Sequence, residues 1–194
     1  IEENYEKIKK RYKEINLQLW KDLEKGKMDK DKLKVLRFEK TIEEFGLEYD
    51  SIEVSELYLK KLGEGVFPFE ATEKLCEYLH SKYKVGVITN GIKEVQHSRI
   101  KNSAIAKYID KLVISEEVGV NKPDKRIFEC AIEYFGISDK KSAIMIGDSL
   151  EADIKGGQNA GIDTCWVNFK NIINNTGIIP KYEVKKLEEL FEIL

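Results

Sequence analysis

Proline, cysteine and long apolar runs are all scarce in this chain. It carries 3 Pro and 13 Gly in 194 residues, which excludes a collagen-like or low-complexity disordered chain. No window approaches the roughly 18 uninterrupted apolar residues of a membrane span. The 3 cysteines, Cys76, Cys130 and Cys165, are odd in number, widely spaced and free of any Cys-x-x-Cys pair. A secreted disulfide scaffold and a structural zinc site are therefore not expected. Apolar neighbours (Leu75, Ala131, Trp166) imply reduced, mostly buried thiols in a cytoplasmic protein. No excess of one charge is present either: 33 Lys+Arg against 35 Asp+Glu leave a net charge of −2. The absence of any block of like charges argues against a general nucleic-acid binder. Residues 1–10 are charged and lack the apolar region of a signal peptide. The first residue is Ile1 rather than Met, so a fragment or processed product is expected.

What is present is a hydrophobic fraction of 42% beneath a surface of 35% charged residues, enough for a sizeable core. The length corresponds to a little over one domain of about 150 residues. Up to about residue 65 the pattern is helical. Tyr5, Ile8, Tyr12, Ile15, Leu19 and Leu23 recur at three- and four-residue steps, with Gly26 as the stop. Asp29 or Asp31 caps a second helix through Leu33, Leu36, Phe38, Ile42 and Phe45, closed by Gly46, and a third spans about 51–62.

The second part alternates short apolar runs with helical stretches. Strands are expected at 85–88, 112–115, 142–146 and 163–167. Helices are expected at 70–81, 95–103, 125–135, 149–160 and 184–194. Crossovers of that kind imply βαβ units in a parallel sheet, and ligands bind at the carboxyl ends of such strands.

Three strand ends carry suitable polar groups. Thr89-Asn90-Gly91 offers a hydroxyl and close backbone N–H groups for phosphate oxygens, and is equally a common tight turn. Lys122 offers a point charge, or is one more solvated lysine. In Gly147-Asp148-Ser149-Leu150-Glu151-Ala152-Asp153, the carboxylates of Asp148 and Asp153 suit Mg²⁺, while Ser149 or Asp148 could instead simply cap the next helix. All three ends point to one face of one sheet, and that convergence is the strongest signal in the chain. Trp20 and Trp166 are expected to pack. His80 and His97 lie on helices away from the strand ends and are read as non-functional.

Together, Ile88-Thr89-Asn90-Gly91, Asn121-Lys122-Pro123 and Gly147–Asp153 resemble the haloacid dehalogenase superfamily of phosphohydrolases. The stretches 113–124, 148–161 and 164–168 are similar to its house-cleaning pyrimidine 5′-nucleotidases. The resemblance covers about residues 15–194. It implies a three-layer, Rossmann-like α/β core over 66–194 and an N-terminal helical cap over 1–65 that excludes water and reads the nucleoside. The implied chemistry is Mg²⁺-dependent attack of an Asp on a small phosphorylated substrate, with an aspartyl-phosphate intermediate. Thr89, Asn90, Gly91 and Lys122 would bind phosphate, and Lys122 would also offset charge during transfer. Asp148 and Asp153 would hold the metal, supported by Ser149.

The family's first motif, Asp-x-Asp-x-Thr/Val at the end of an apolar strand, is missing from these residues. Asp29-Lys30-Asp31-Lys32 imitates its spacing, but no apolar strand precedes it and a helix start explains it better. The resemblance places the missing strand between those at 85–88 and 142–146, whose facing edges would lack partners. An additional N-terminal segment in the native gene product is expected, and the chain as given is expected to be inactive. A non-catalytic or truncated binding protein, and a 2-haloacid dehalogenase-type hydrolase, are the alternative readings. Phe67-Pro68-Phe69-Glu70 replaces the usual Pro-Gly-Ala, a local departure.

Overall fold

The computed structural model describes residues 2–24 and 26–194. The chain divides into two compact units, residues 1–65 and 66–194.

The first unit is three helices: α1 (Glu2–Glu24), α2 (Lys30–Phe45) and α3 (Ser51–Glu64). Their ends follow from the residues there. The Asp29 carboxylate accepts the Lys32 N–H at 2.8 Å and caps α2, so the Asp29–Lys32 stretch is a helix start. Gly46, at φ +59°, closes α2 in the left-handed conformation that glycine adopts without steric cost. Asp50 caps α3. Ile15, Leu19 and Leu23 of α1 bury against Leu33 of α2, with Trp20 packed beside them. Arg37 is the unusual feature. Only 2% of it is exposed, and its guanidinium lies 5.0 Å from the Phe38 ring centre and 4.8 Å from that of Tyr58. Its Nη1 donates to Asn16 at 3.3 Å, so stacking and neutral acceptors hold a charge that sequence reading did not single out. Burial also raises the pKa of the neighbouring Tyr12 hydroxyl.

The second unit begins with α4 (Thr72–Lys82), β1 (Gly86–Thr89), α5 (Lys93–Lys101), β2 (Lys111–Ile114) and the short α6 (Ser115–Val118). It continues through α7 (Lys125–Tyr134), β3 (Ile144–Gly147), α8 (Lys155–Ala160), β4 (Asp163–Val167), β5 (Tyr182–Val184) and α9 (Leu190–Ile193). Among the described residues every strand pairing is parallel, through helical crossovers for β1–β2 and β3–β4 and through the loop 168–181 for β4–β5. The strands lie in two sheets: β1 pairs with β2, and β3, β4 and β5 pair in that order. Val113, Ile127, Phe128 and Ile162 form one core cluster, and Leu75, Cys165, Val184 and Leu190 another. Burial pushes the Cys165 thiol up to about 11, which leaves it protonated and inert at neutral pH. Cys76 and Cys130 are half-buried and free. Trp166 is buried, 4% exposed. Among the described residues no helix is long and apolar enough to cross a membrane.

Two expectations are corrected. The single helix expected over 184–194 is instead β5, a 3₁₀ turn (Leu187–Glu189) and the short α9. Val184 pairs with Val167 of β4, and Leu187, Phe191 and Leu194 bury against the cluster around Cys165, so the apolar spacing records packing on a sheet. The helix expected over 149–160 opens with a π turn, Leu150–Ile154, before α8. The strands at 85–88, 112–115 and 142–146 sit one or two residues away from their expected bounds, and Ser115 already belongs to α6.

Two glycines set the approach of α8. A Cβ on Gly156 would lie 2.5 Å from ring atoms of Phe128, which is 1% exposed, and 3.1 Å from Pro123 Cα. A Cβ on Gly157 would lie 2.8 Å from Thr164 Cγ2. The Gly156→Ala variant is therefore expected to lose about 1–3 kcal/mol of stability by overpacking, read from urea denaturation.

Asp110 ties the beginnings of β1 and β2. Its Oδ2 accepts the Val85 N–H at 2.8 Å, and Lys84 lies 3.2 Å from Oδ1. The Val85 N–H first, then Lys84, hold its carboxyl below its ordinary value of 3.8. A depressed carboxyl contributes stability that is present above the unfolded-state pKa and disappears as pH falls through the folded one. Carbon-detected NMR titration is expected to place the Asp110 midpoint below 3.8. Asp110→Asn is expected to destabilise the protein at pH 7, with the deficit shrinking on acidification.

Candidate active site

The polar residues of the three strand ends meet around one buried ion pair. Lys122 follows the turn after β2 and α6, and Asp153 sits in the π turn after β3. Lys122 Nζ lies 2.7 Å from Asp153 Oδ1, with side-chain exposures of 11% and 6%. The same Nζ donates to the Ile88 carbonyl at 2.8 Å. The lysine thus links the end of β1 to the segment after β3, although no backbone pairing joins those strands.

Each partner is held in turn. The Asn90 side chain clamps the Lys122 backbone, accepting its N–H at 2.8 Å and donating to its carbonyl at 3.0 Å. This arrangement orients the lysine, a role the sequence does not reveal for an Asn in a turn. Lys122-Pro123 is a cis peptide, and the Pro123 carbonyl accepts from Asn159 at 3.2 Å. Asp153 Oδ2 accepts the Ser149 N–H at 3.0 Å, and Ser149 Oγ accepts the Ala152 N–H at 3.0 Å. In the π turn the Ser149 carbonyl accepts from both Asp153 and Ile154, which brings the Asp153 carboxylate back over Ser149. Gly147 leaves the room for it, since a Cβ there would strike the Asp153 carboxylate.

Thr89, the last residue of β1, accepts the Gly91 N–H at 2.9 Å through its hydroxyl oxygen. That turn leaves the hydroxyl proton available to an anion. Asp148 directly follows β3. The Trp166 indole N–H donates to its backbone carbonyl at 3.0 Å, fixing the main chain, while its carboxylate is exposed and accepts no hydrogen bond among the described residues. The structure therefore gathers Thr89, Asn90, Gly91, Lys122, Asp148, Ser149 and Asp153 at the carboxyl ends of β1 and β3. It does not gather His80 or His97. His80 lies 3.5 Å from Asp110, and His97 lies 3.0 Å from Glu117.

The donors can be tested against a divalent cation. Among the described residues no three His, Cys, Asp or Glu side chains cluster as a ready-made cage. Mg²⁺ needs less, because it binds through one or two carboxylates and fills its octahedron with phosphate oxygens and water. Asp148 offers that free carboxylate, while Asp153 is committed to Lys122 and Ser149. The residues present fit Mg²⁺, and the Asp148 carboxylate is the one left uncommitted.

A hydroxyl, a buried lysine and a free carboxylate at the carboxyl ends of parallel α/β strands form a candidate ligand site. The family model of the haloacid dehalogenase-like hydrolases matches residues 3–167, and the chain belongs to that family of enzymes. It is 37% identical over 187 residues to the HAD-hydrolase YfnB of Bacillus subtilis, covering 96% of this chain and 80% of that protein. It is 37% identical over 183 residues to the pyrimidine 5′-nucleotidase YjjG of Escherichia coli, covering 94% and 80%. Identity to the pyrimidine 5′-nucleotidase PynA of Streptococcus pneumoniae is 36% over 184 residues, covering 94% and 78%. The crystal structure of YfnB bound to magnesium superposes with a TM-score of 0.89, covering 97% of this chain and 82% of that one. The L-2-haloacid dehalogenase of Xanthobacter autotrophicus, 15% identical, shares the fold with a TM-score of 0.75, covering 97% and 85%.

Removing one member of the buried pair leaves the other charge without compensation. Asp153→Ala is expected to cost about 3–5 kcal/mol in urea denaturation. The double change Lys122→Met with Asp153→Leu is expected to recover most of that loss, because no buried charge remains.

Proposed function

We propose that this protein is a Mg²⁺-dependent phosphatase of nucleoside 5′-monophosphates, with residues 1–65 as its helical cap and 66–194 as its hydrolase core. The observation that carries the proposal is the buried Lys122, held between the Ile88 carbonyl and Asp153, in a cavity whose lining also includes Asp148. The pyrimidine nucleotidases among the relatives support the nucleotide as substrate. The three free thiols support a reducing, cytoplasmic setting.

In this reading Thr89 donates its hydroxyl proton to a phosphate oxygen, and the backbone N–H groups around Asn90 and Gly91 approach the same anion. Lys122 places a fixed positive charge beside the phosphoryl group, where it offsets the negative charge that gathers in the transition state. Asp153 positions that lysine and contributes to the metal site through the lysine's orientation and through Ser149. Asp148 would hold Mg²⁺, which would neutralise phosphate charge when bound. The attacking Asp and its acid/base partner are not among residues 1–194, so these residues bind and orient phosphate without turning it over. The dehalogenase alternative has less support, because an uncommitted carboxylate and a lysine lining one cavity suit a metal-bound phosphate.

The test is phosphate release from a panel of nucleoside monophosphates and simple phosphomonoesters, with and without Mg²⁺. Residues 1–194 alone are expected to release none above buffer. The same chain preceded by an apolar strand ending in Asp-x-Asp is expected to hydrolyse pyrimidine nucleotides only with Mg²⁺. Lys122→Ala or Asp148→Ala in that longer chain is expected to lower turnover about 100- to 1000-fold. Mg²⁺-independent hydrolysis would sink the proposal, and turnover by residues 1–194 alone would overturn the expectation that they lack the attacking Asp.

A further inference from the structure

The first unit holds a cavity of about 370 Å³ between its three helices. Five of the side chains that line it are aromatic: Tyr5, Tyr12, Phe38, Tyr49 and Tyr58. Some of these rings brace one another. Tyr12 stacks on Phe38 with ring centres 5.3 Å apart and planes 21° apart, and Tyr58 meets Phe38 edge-on at 5.1 Å. Rings that pack on each other keep their orientation, so this part of the wall is flat and apolar. Among the described residues the lining has no carboxylate, and Lys9 is its one charged member.

Polar groups at and behind this wall are unmet. Arg37 stacks on Phe38 and Tyr58, two of the lining rings. It is 2% exposed, and its Nε and Nη1 donate at 3.3 Å to the Lys34 carbonyl and to Asn16. Its Nη2 and the Tyr12 hydroxyl are both buried and find no hydrogen-bond partner among the described residues. A buried charge without a counter-charge and donors without acceptors are each costly. Tyr12 cannot supply the counter-charge, because burial raises its pKa and keeps the phenol protonated at neutral pH. The helical unit is therefore short of an acceptor and a negative charge, beside a cavity walled by aromatic rings.

We infer that this cavity is a binding site for a small planar aromatic carboxylate. The ring follows from the walls, since a flat ligand stacks or packs edge-on among Tyr12, Phe38 and Tyr58. The carboxylate follows from charge complementarity. It accepts from the Tyr12 hydroxyl, offsets the Arg37 charge behind the rings and is drawn in by Lys9. A turn of the Tyr12 side chain brings its hydroxyl to the ligand, as side chains commonly shift on binding. The volume lies toward the small end of ligand sites and suits one ring with one acidic group. The site lies wholly within the first unit, so the inference does not depend on the reaction proposed for the second.

The experiment titrates residues 1–194 with sodium benzoate and follows the backbone amides by NMR. Saturable shifts are expected at Tyr12, Phe38, Thr41 and Tyr58, half complete near about 1 mM. Benzamide keeps the ring and loses the charge, and is expected to bind about tenfold or more weakly. Cyclohexanecarboxylate keeps the charge and loses the flat ring, and is expected to bind about threefold or more weakly. Tyr12→Phe removes only the hydroxyl and is expected to weaken benzoate about tenfold with the circular dichroism spectrum unchanged. Lys9→Gln is expected to weaken it by a smaller factor that salt reduces. Three results would overturn the inference: no saturable shifts below about 20 mM benzoate, benzamide binding as tightly as benzoate, or unchanged affinity in Tyr12→Phe. Uridine 5′-monophosphate producing the same shifts at lower concentration than benzoate would also overturn it, by assigning the cavity to the substrate of the second unit's site.

Discussion

The contact between Lys122 and Asp153 is the constraint on which the rest of this structure depends. A nearly buried ammonium and carboxylate are costly to remove from water, and the cost is met only if their other hydrogen-bonding positions are also filled. That requirement accounts for features scattered along the sequence. Asn90 holds the lysine's backbone, Ile88 accepts its second hydrogen bond, Ser149 donates to the carboxylate, and Gly147 stands aside for it. Three separate strand ends are thereby fixed with respect to one charge. A positioned charge in a partly dry setting is what phosphate chemistry demands of a protein, because catalysis there is mostly placement and electrostatic compensation.

The same lysine also spans a boundary within the fold. Its amino group reaches the Ile88 carbonyl on one sheet and a carboxylate that follows the other. Side chains can therefore hold the site's geometry where main-chain pairing does not continue. The helical unit shows the same economy in another form. Among the described residues Arg37 is buried without a carboxylate, stacked on aromatic rings and donating to Asn16 and the Lys34 carbonyl. Guanidinium is the cation that tolerates such a setting, since it is planar and weakly hydrated.

Much of the architecture was legible because hydrophobic periodicity reports burial. The faces of α1 and α2 and the short apolar runs of β1 to β4 are readable in that way. Thr89 and Asp148 stand at the carboxyl ends of apolar runs, β1 and β3, and were readable as such, whereas Lys122 and Asp153 reach the same place from later turns. The failures have physical causes too. Val184, Leu187, Phe191 and Leu194 carry a helical spacing, yet they pack against a sheet, and β4 takes residues 182–184 as a neighbour. The wide turn at Leu150–Ile154 left no mark in composition, because only the pull of Asp153 toward Lys122 and Ser149 distinguishes it from an ordinary helix start. Arg37 was not singled out in the sequence, since the rings that stack on it come from α2 and α3 only once these helices pack.

Local order was thus determined by the sequence itself: where helices start and stop, which residues alternate with helices as strands, and which polar groups lie at strand ends. These are properties of neighbouring residues, set by capping, by backbone preference and by the period of apolar side chains. Only the tertiary structure decided which carboxylate stays free and which is spent. Asp148 and Asp153 are alike in type and five residues apart, but a lysine from 31 residues away claims one of them. Such a choice depends on long-range approach and burial, and no local pattern encodes it.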